Sequence, residues 1–303
     1  MLNFRDITLE DRDLFASVIN NYYCVHDSFI YWYAWGGEGK IQFAEDEEAL
    51  YLKTFYTDSE GRFLAPYLKD RSRSIRGPLE KVRQLTGDIN YLWVPEVNKN
   101  IIERDCPDMM EFTLSRDFSE YIYNVADLIK LEGHVYRGKR NRIRSFLRRF
   151  PNMIYLPYED KYKFECLNLD RDWQTDKDEH ELILDEEHES RNREYFALKR
   201  VLDNFEILGA KGCVILDGDR ANRVAGFSVG SQLNVEMADI HFEKCHPDYR
   251  DMYAYLRHEF LSHCWSHMPY VNCEEDMGDQ GLRTSKLSYN PVKLAKQYVA
   301  KWK

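Results

Sequence analysis

The sequence predicts a mixed α/β protein, α+β in layout, built on a mixed sheet. Three observations carry that expectation. Residues 212–276 read as three strands, a helix and a fourth strand, an order in which antiparallel hairpins lead into a helical crossover. The 303 residues are 44% hydrophobic and 31% charged, an ordinary globular balance that allows about two domains at roughly 150 residues each. A basic helix near the middle of the chain then offers a place to divide it, into residues 1–136, a hinge at 137–150, and residues 151–303.

Taken in order, residues 8–11 (TLED) fit a capping box, with Thr8 as cap and Asp11 at the third helical position. Phe29–Trp35 is an unbroken apolar run before Gly36-Gly37 and reads as a strand or buried segment ended by a turn. Residues 48–56, 61–67 and 88–94 are aromatic-rich and punctuated by Gly, Pro and Asp, the pattern of strands. Pro78–Leu85 reads as a helix opened by proline and closed near Gly87.

The hinge is the clearest local signal. Residues 137–149 hold seven Lys or Arg and no acid, while Ile143, Phe146, Leu147 and Phe150 recur at i, i+3, i+4, i+7. That spacing is one stripe of a helix, which Pro151 stops. The bases form either a solvated face or a surface for a polyanion such as tRNA. Beyond the hinge, 162–173 and 191–204 read as helices. Between them 176–189 carries eight acids against one base, the composition of a solvated loop or frayed helix. Strands follow at 212–216, 224–233 and 235–244. An amphipathic helix spans 249–266, a strand 270–276, and a helical segment starts at Gly281.

Several classes are excluded. The longest apolar run has seven residues, far short of the about 20 needed to cross a bilayer. The charged N-terminus lacks the apolar core of an export signal. These features predict a cytoplasmic protein. The net charge of −10 argues against broad adhesion to nucleic acid. Seven cysteines, scattered and never spaced as CxxC, predict buried free thiols and no metal site. No dinucleotide fingerprint, Walker loop, nucleophile elbow or HExxH is present.

The strand and helix order, with VAGF at 224–227, resembles the GNAT acyltransferase fold. Three stretches narrow the likeness: 121–146 (YIYNVADLIKLEGHVYRGKRNRIRSF), 239–244 with 249–260 (DIHFEK, YRDMYAYLRHEF), and 272–291 (NCEEDMGDQGLRTSKLSYNP). Together they resemble the family of the C-terminal domain of phosphatidylglycerol lysyltransferase. The resemblance implies two tandem GNAT-like domains, the second carrying the site. It also implies transfer of an activated acyl group to a hydroxyl or amine. In the best-known members an aminoacyl group passes from charged tRNA to a lipid hydroxyl, and those enzymes carry a membrane domain that these 303 residues lack. Aminoacyl-tRNA and acetyl-CoA are both implied as donors, with a small-molecule acceptor. The alternatives are an N-acetyltransferase, or a module that binds a small ligand or RNA end without turnover.

Candidate residues follow. Asp239, His241 and Glu243 alternate on a presumed central strand and so are expected to share a face. Unpaired charges are costly to bury, so this face is either a cleft wall, where His241 or Glu243 takes a proton from the acceptor, or a solvent-facing edge. Asp276 ends a strand, and Arg283 and Lys286 stand three apart on the next helix. Lys286-Leu287-Ser288 resembles a Lys-x-Ser element tied to activity in the aminoacyl-lipid synthases. The resemblance gives Lys286 a phosphate or a developing oxyanion, and Asp276 a donor ammonium, with Arg283 and Ser288 beside the substrate. The same residues also fit a plain ion-pair network. Finally, GNAT enzymes that use acetyl-CoA hold its pyrophosphate in Arg/Gln-x-x-Gly-x-Gly/Ala at a helix start. Here Arg250 and Ala254 match, placing Arg250 at the donor phosphates. Asp251 and Tyr253 occupy the glycine positions, which weakens the case for a CoA donor. His263 and His267, at i, i+4, read as packing or surface residues.

Overall fold

The elements are those of a computed structural model, which describes residues 2–19, 24–37, 40–55, 62–86, 91–180 and 185–303. In chain order they begin with β1 (Arg5–Asp6), α1 (Arg12–Ile19), α2 (Phe29–Trp35), β2 (Ile41–Glu45), β3 (Ala49–Thr54), β4 (Arg62–Phe63) and β5 (Tyr67–Leu68). Next come α3 (Arg76–Thr86), β6 (Tyr91–Pro95), α4 (Glu96–Asp105), β7 (Met110–Asn124), α5 (Val125–Lys130), α6 (Arg137–Arg149) and β8 (Met153–Pro157). The chain continues through α7 (Lys163–His180), α8 (Asp185–Asp203), β9 (Lys211–Asp217), β10 (Arg223–Gln232), β11 (Met237–Cys245) and α9 (Met252–Phe260). It ends with β12 (Tyr270–Asn272), α10 (Gln280–Leu287) and β13 (Lys293–Trp302). Among the described residues no helix is long and apolar enough to cross a membrane.

The chain divides into two compact units. One comprises Met1–Tyr121, Glu275–Thr284 and Lys293–Lys303, the other Ile122–Glu274 and Ser285–Val292. The basic helix α6, expected between two halves, lies inside the second unit.

In the first unit β2 and β3 form an antiparallel hairpin flanked by β1 and β4, with β5 also on β3. Asp46 closes its turn by accepting the N–H groups of Glu48 (2.8 Å) and Ala49 (3.0 Å). β6 pairs antiparallel with β13, which stands next to β7. Leu79 and Val82 of α3 meet Tyr51, Phe63, Leu92 and Val94 in one fully buried cluster. The TLED turn forms as expected: the Asp11 carboxylate accepts the Thr8 N–H at 2.8 Å.

Three expectations are corrected here. Phe29–Trp35 is the helix α2, not a strand. A run apolar on every side suits a fully enclosed helix as well as a buried strand, and seven residues show too little periodicity to decide. Ile30, Trp32, Tyr33 and Ala34 are buried, and Phe29 meets Phe15 edge-on at 5.6 Å. The strand expected at 61–67 is two short ones, β4 and β5, because Pro66 cannot donate to a ladder. The helical segment from Gly281 ends at Leu287. Asn290 is left-handed (φ 54°) and Pro291 cannot extend a helix, so the chain turns into β13.

In the second unit the strand order is β7-β12-β11-β10-β9-β8, antiparallel except for the parallel pair β11/β12. The helical crossover joining that pair is α9, whose chain continues into a π-turn at Leu261–Trp265. α7 packs on β10 and β11; α9 packs on β9, β10 and β11. The predicted stripe of α6 docks on the α9 region. Phe146 is fully buried with its ring 5.4 Å from Tyr255, and Phe150 lies 5.0 Å from Tyr249. The acidic stretch 176–189 falls partly outside the described residues; α7 runs to His180 and α8 starts at Asp185.

Candidate functional site

Two features of the second unit's sheet shape a site around β11. First, the parallel ladder joins Met237–Asp239 to Tyr270–Asn272 and then ends, while β11 runs on to Cys245. The strands therefore part at the level of Asp239 and Asn272. Second, the β10/β11 ladder passes from Val229↔Phe242 to Gly230↔Ile240, leaving His241 as the extra residue of a bulge. Gly230 makes this possible, since a Cβ there would collide with the Asp239 carbonyl.

The bulge overturns the expectation that Asp239, His241 and Glu243 share a face. An extra residue shifts the period-two alternation, so positions on either side of it exchange faces. His241 stays with Asp239: its Nε2 is 2.7 Å from Ser231 Oγ and its Nδ1 is 3.3 Å from Asp239 and 3.6 Å from Glu274. Glu243 instead meets Arg257 of α9 at 2.6 Å. Burial pushes the His241 imidazole down to about 3, so it is neutral across the physiological range. In the tautomer where Nε2 accepts the Ser231 hydroxyl proton, Nδ1–H lies on the side of the two carboxylates, at ion-pair distance from them. Ser231 was not foreseen; its register partner is Asp239, a pairing that only the strand register reveals.

The charges on both faces lie within electrostatic reach of one thiol. Burial pushes Cys273 up to about 12; Arg257 and Lys286 oppose this, and Glu243 and Asp239 reinforce it. Lys286 is 8% exposed and donates to the Cys273 carbonyl. Next to Arg257, Lys139 of α6 is buried with Nζ 3.3 Å from the Tyr289 ring centre, and Arg257 covers the same ring at 4.7 Å. Burial, aided by Arg257 and Arg142, lowers Lys139 to about 7. Among the described residues Glu243 Oε1, Arg257 Nε and Ser228 Oγ find no hydrogen-bond partner, and Ser228 stands opposite Glu243 across the ladder. The result is a charged, incompletely satisfied cluster flanking the point where β11 and β12 part.

Asp276 and Arg283 take other partners, in the first unit. The Asp276 carboxylate, 0% exposed, accepts from Arg283 (2.7 and 2.9 Å), Arg116 (3.1 Å), Tyr121 OH (2.5 Å) and the Gly278 N–H (3.0 Å). Arg283 also donates to Asp117 at 2.6 Å. Burial alone would raise Asp276, but Arg283 and Tyr121 outweigh it and hold the carboxyl well below the usual range. This is the ion-pair network that the sequence left open as the alternative. Ser288 is exposed and donates to the Ser285 carbonyl.

The start of α9 is also occupied. Asp251 is left-handed (φ 72°), and Arg149 of α6 donates to its carboxylate (3.1 Å) and to the Arg250 carbonyl (2.7 Å). Arg250 is exposed there. An arginine and a carboxylate thus stand where a pyrophosphate would need free backbone N–H groups. Among the described residues, two groups of side chains bring metal-ligating atoms within 4.8 Å of one another: Asp239, His241 and Glu274 in the second unit, and Cys24, His26 and Glu120 in the first.

A mixed sheet whose parallel strand pair parts beside a buried ionic cluster defines the class as α/β, of the GNAT-like acyltransferase fold. The chain belongs to the phosphatidylglycerol lysyltransferase, C-terminal family, whose profile matches residues 20–301. It is similar to a conserved protein of unknown function from Bacteroides thetaiotaomicron, with 27% identity and a TM-score of 0.85 over 100% of both chains. It shares its fold with L-PGS from Bacillus licheniformis (TM-score 0.65, 12% identity, 98% of this chain and 92% of that one). A tandem GNAT protein of the clavulanic acid pathway also shares it (TM-score 0.51, 10% identity, 99% and 98%). A curated relative, an uncharacterised protein of Mycoplasmoides gallisepticum, is 27% identical over 184 residues, or 60% of this chain. The matched stretch spans 56% of that relative's length.

Proposed function

We propose that the protein is an aminoacyltransferase that moves an aminoacyl group from charged tRNA to a hydroxyl or amine acceptor. The observation that carries this reading is the Ser231–His241–Asp239 relay beside the parted strands. An extended donor fits the edge that β11 presents once β12 has ended, with its ester carbonyl facing the cluster. The acceptor attacks that carbonyl, and its proton passes through the Ser231 hydroxyl to His241 Nε2. Burial disfavours the imidazolium in the free protein, so this step depends on Asp239, 3.3 Å from Nδ1, closing on the ring as charge develops. Lys286 supplies positive charge for the carbonyl oxygen as it becomes an oxyanion. Collapse of the adduct expels the tRNA 3′-hydroxyl, which recovers the proton from His241.

Membership of a family described by lysyl transfer to phosphatidylglycerol supports this chemistry. The Arg149–Asp251 pair at the start of α9 favours tRNA over acetyl-CoA as donor. The test is to supply the full chain with tRNA charged with radiolabelled amino acids, and with acetyl-CoA separately. Acceptors are phosphatidylglycerol vesicles and a panel of soluble amines and alcohols. Label should move from tRNA, and His241→Gln should slow transfer about 100-fold. Transfer from acetyl-CoA alone, or a rate indifferent to His241→Gln, would overturn the proposal.

A further inference from the structure

We infer that Cys24, His26, Glu120 and Gln297 form a binding site for one zinc-like divalent transition-metal ion. They come from three stretches of the chain that lie far apart in sequence, yet all belong to the first unit. Cys24 Sγ, His26 Nδ1 and Glu120 Oε1 form a triangle with sides of 2.8, 3.2 and 3.2 Å. The Gln297 amide completes the cluster, 2.6 Å from Cys24 Sγ, 3.3 Å from Glu120 Oε1 and 3.4 Å from His26 Nδ1. Tetrahedral zinc with sulfur, nitrogen and oxygen ligands sets neighbouring donors roughly 3.3–3.6 Å apart, so the two contacts to Cys24 Sγ at 2.6 and 2.8 Å must open by up to about 1 Å, and the 3.2 Å contacts hardly at all, to admit the ion.

Hydrogen bonding explains the cluster poorly. Glu120 Oε1 has two lone pairs, and the Cys24 thiol, the His26 ring nitrogen and the Gln297 amide all crowd within 3.3 Å of it. An ion at the centre relieves that crowding, because thiolate, imidazole nitrogen and carboxylate all become ligands. Rotating the Gln297 amide by half a turn presents its oxygen as the fourth. Binding would release the Cys24 proton. Thiolate, imidazole and carboxylate together suit zinc and cobalt better than calcium or magnesium.

The surroundings hold the ligands in place. Glu120 is 0% exposed, and its second oxygen accepts the Val25 N–H at 2.8 Å. The His26 carbonyl accepts from Trp32 Nε1 (2.6 Å) and Tyr67 OH (3.3 Å), which fixes the 24–26 turn. His26 is 19% exposed, leaving an entry path.

Cobalt distinguishes this site from the Asp239–His241–Glu274 group, which contains no sulfur. The metal-stripped full chain, titrated with Co²⁺, should bind one equivalent and gain a near-ultraviolet thiolate-to-cobalt band. Cys24→Ser should abolish that band, and His26→Ala, which removes the most accessible of the four ligands, should weaken binding by about tenfold or more. His241→Ala should leave the band intact. Absence of bound cobalt, or a sulfur band that survives both Cys24→Ser and His26→Ala, would overturn the assignment.

Discussion

The two units treat buried charge in opposite ways. In the first, Asp276 is enclosed by two arginines, a tyrosine hydroxyl and a backbone N–H, and both of its oxygens are satisfied. In the second, Arg257 and Glu243 share a single 2.6 Å bond and leave polar atoms over, while Lys139 is held near its neutral form. A saturated network stabilises; an unsaturated one holds interaction capacity in reserve for something else to complete. Reactivity is therefore expected in the second unit, although the sequence spread the candidate residues over both.

The largest effect should come from breaking the saturated network. Asp276→Asn leaves Arg283 and Arg116 without their carboxylate and should cost about 3 kcal/mol in urea denaturation at pH 7. Because the carboxyl is held below its ordinary value, its contribution is complete above about pH 4 and is lost as the pH falls through the folded value. The penalty should accordingly shrink in strong acid. An equal penalty at both pH values would show that shape, and not charge, matters at this position.

Lys139→Met probes the unsaturated side with the opposite sign. With Lys139 at about 7 when folded and near 10 when unfolded, the unfolded chain binds the extra proton between those values, so stability rises with pH across that window. The variant should melt a few degrees higher at pH 6 and lose that slope. A lower melting temperature would mean that the cation over Tyr289 is itself stabilising. The smallest effect concerns α6. Arg140 caps the end of α5 through the Leu131 and Gly133 carbonyls, so it belongs to the scaffold. Arg142, Arg144 and Arg148 are exposed. Neutralising these three should weaken tRNA binding modestly and flatten its logarithmic salt slope by about 2; an unchanged slope would limit the helix to packing.

Elements with strong local patterns could be read from the sequence: α6 from its stripe and proline stop, the 211–245 strands from alternation, α3 from Pro78. The helix α2 could not, because a run that is apolar at every position carries no periodicity. The strands β7 and β13 went unnoticed, since their pairing partners lie far away in sequence. At the site His241, Glu243 and Lys286 do lie around one cluster, but the bulge that turns Glu243 toward α9 follows from the register at Gly230, which no spacing on β11 reveals. Arg283 and Asp276 were correctly read as neighbours, but the network that saturates Asp276 also needs Arg116 and Tyr121, about 160 residues earlier in the chain. The Cys24, His26, Glu120 and Gln297 cluster was invisible because 96 residues separate Cys24 from Glu120, and 177 separate Glu120 from Gln297.

The strand β13 also has a consequence for biosynthesis. It pairs with β6 about 200 residues earlier in the chain, and the first unit also draws on Glu275–Thr284. During synthesis the amino-terminal 121 residues must therefore wait, lacking a strand and the partners of Asp117, while the whole second unit emerges from the ribosome. The unit begun second can finish first. Chaperone dependence should accordingly fall on the early hairpin and its aromatic neighbours, and a circular permutant that begins at β13 should mature faster than the natural order.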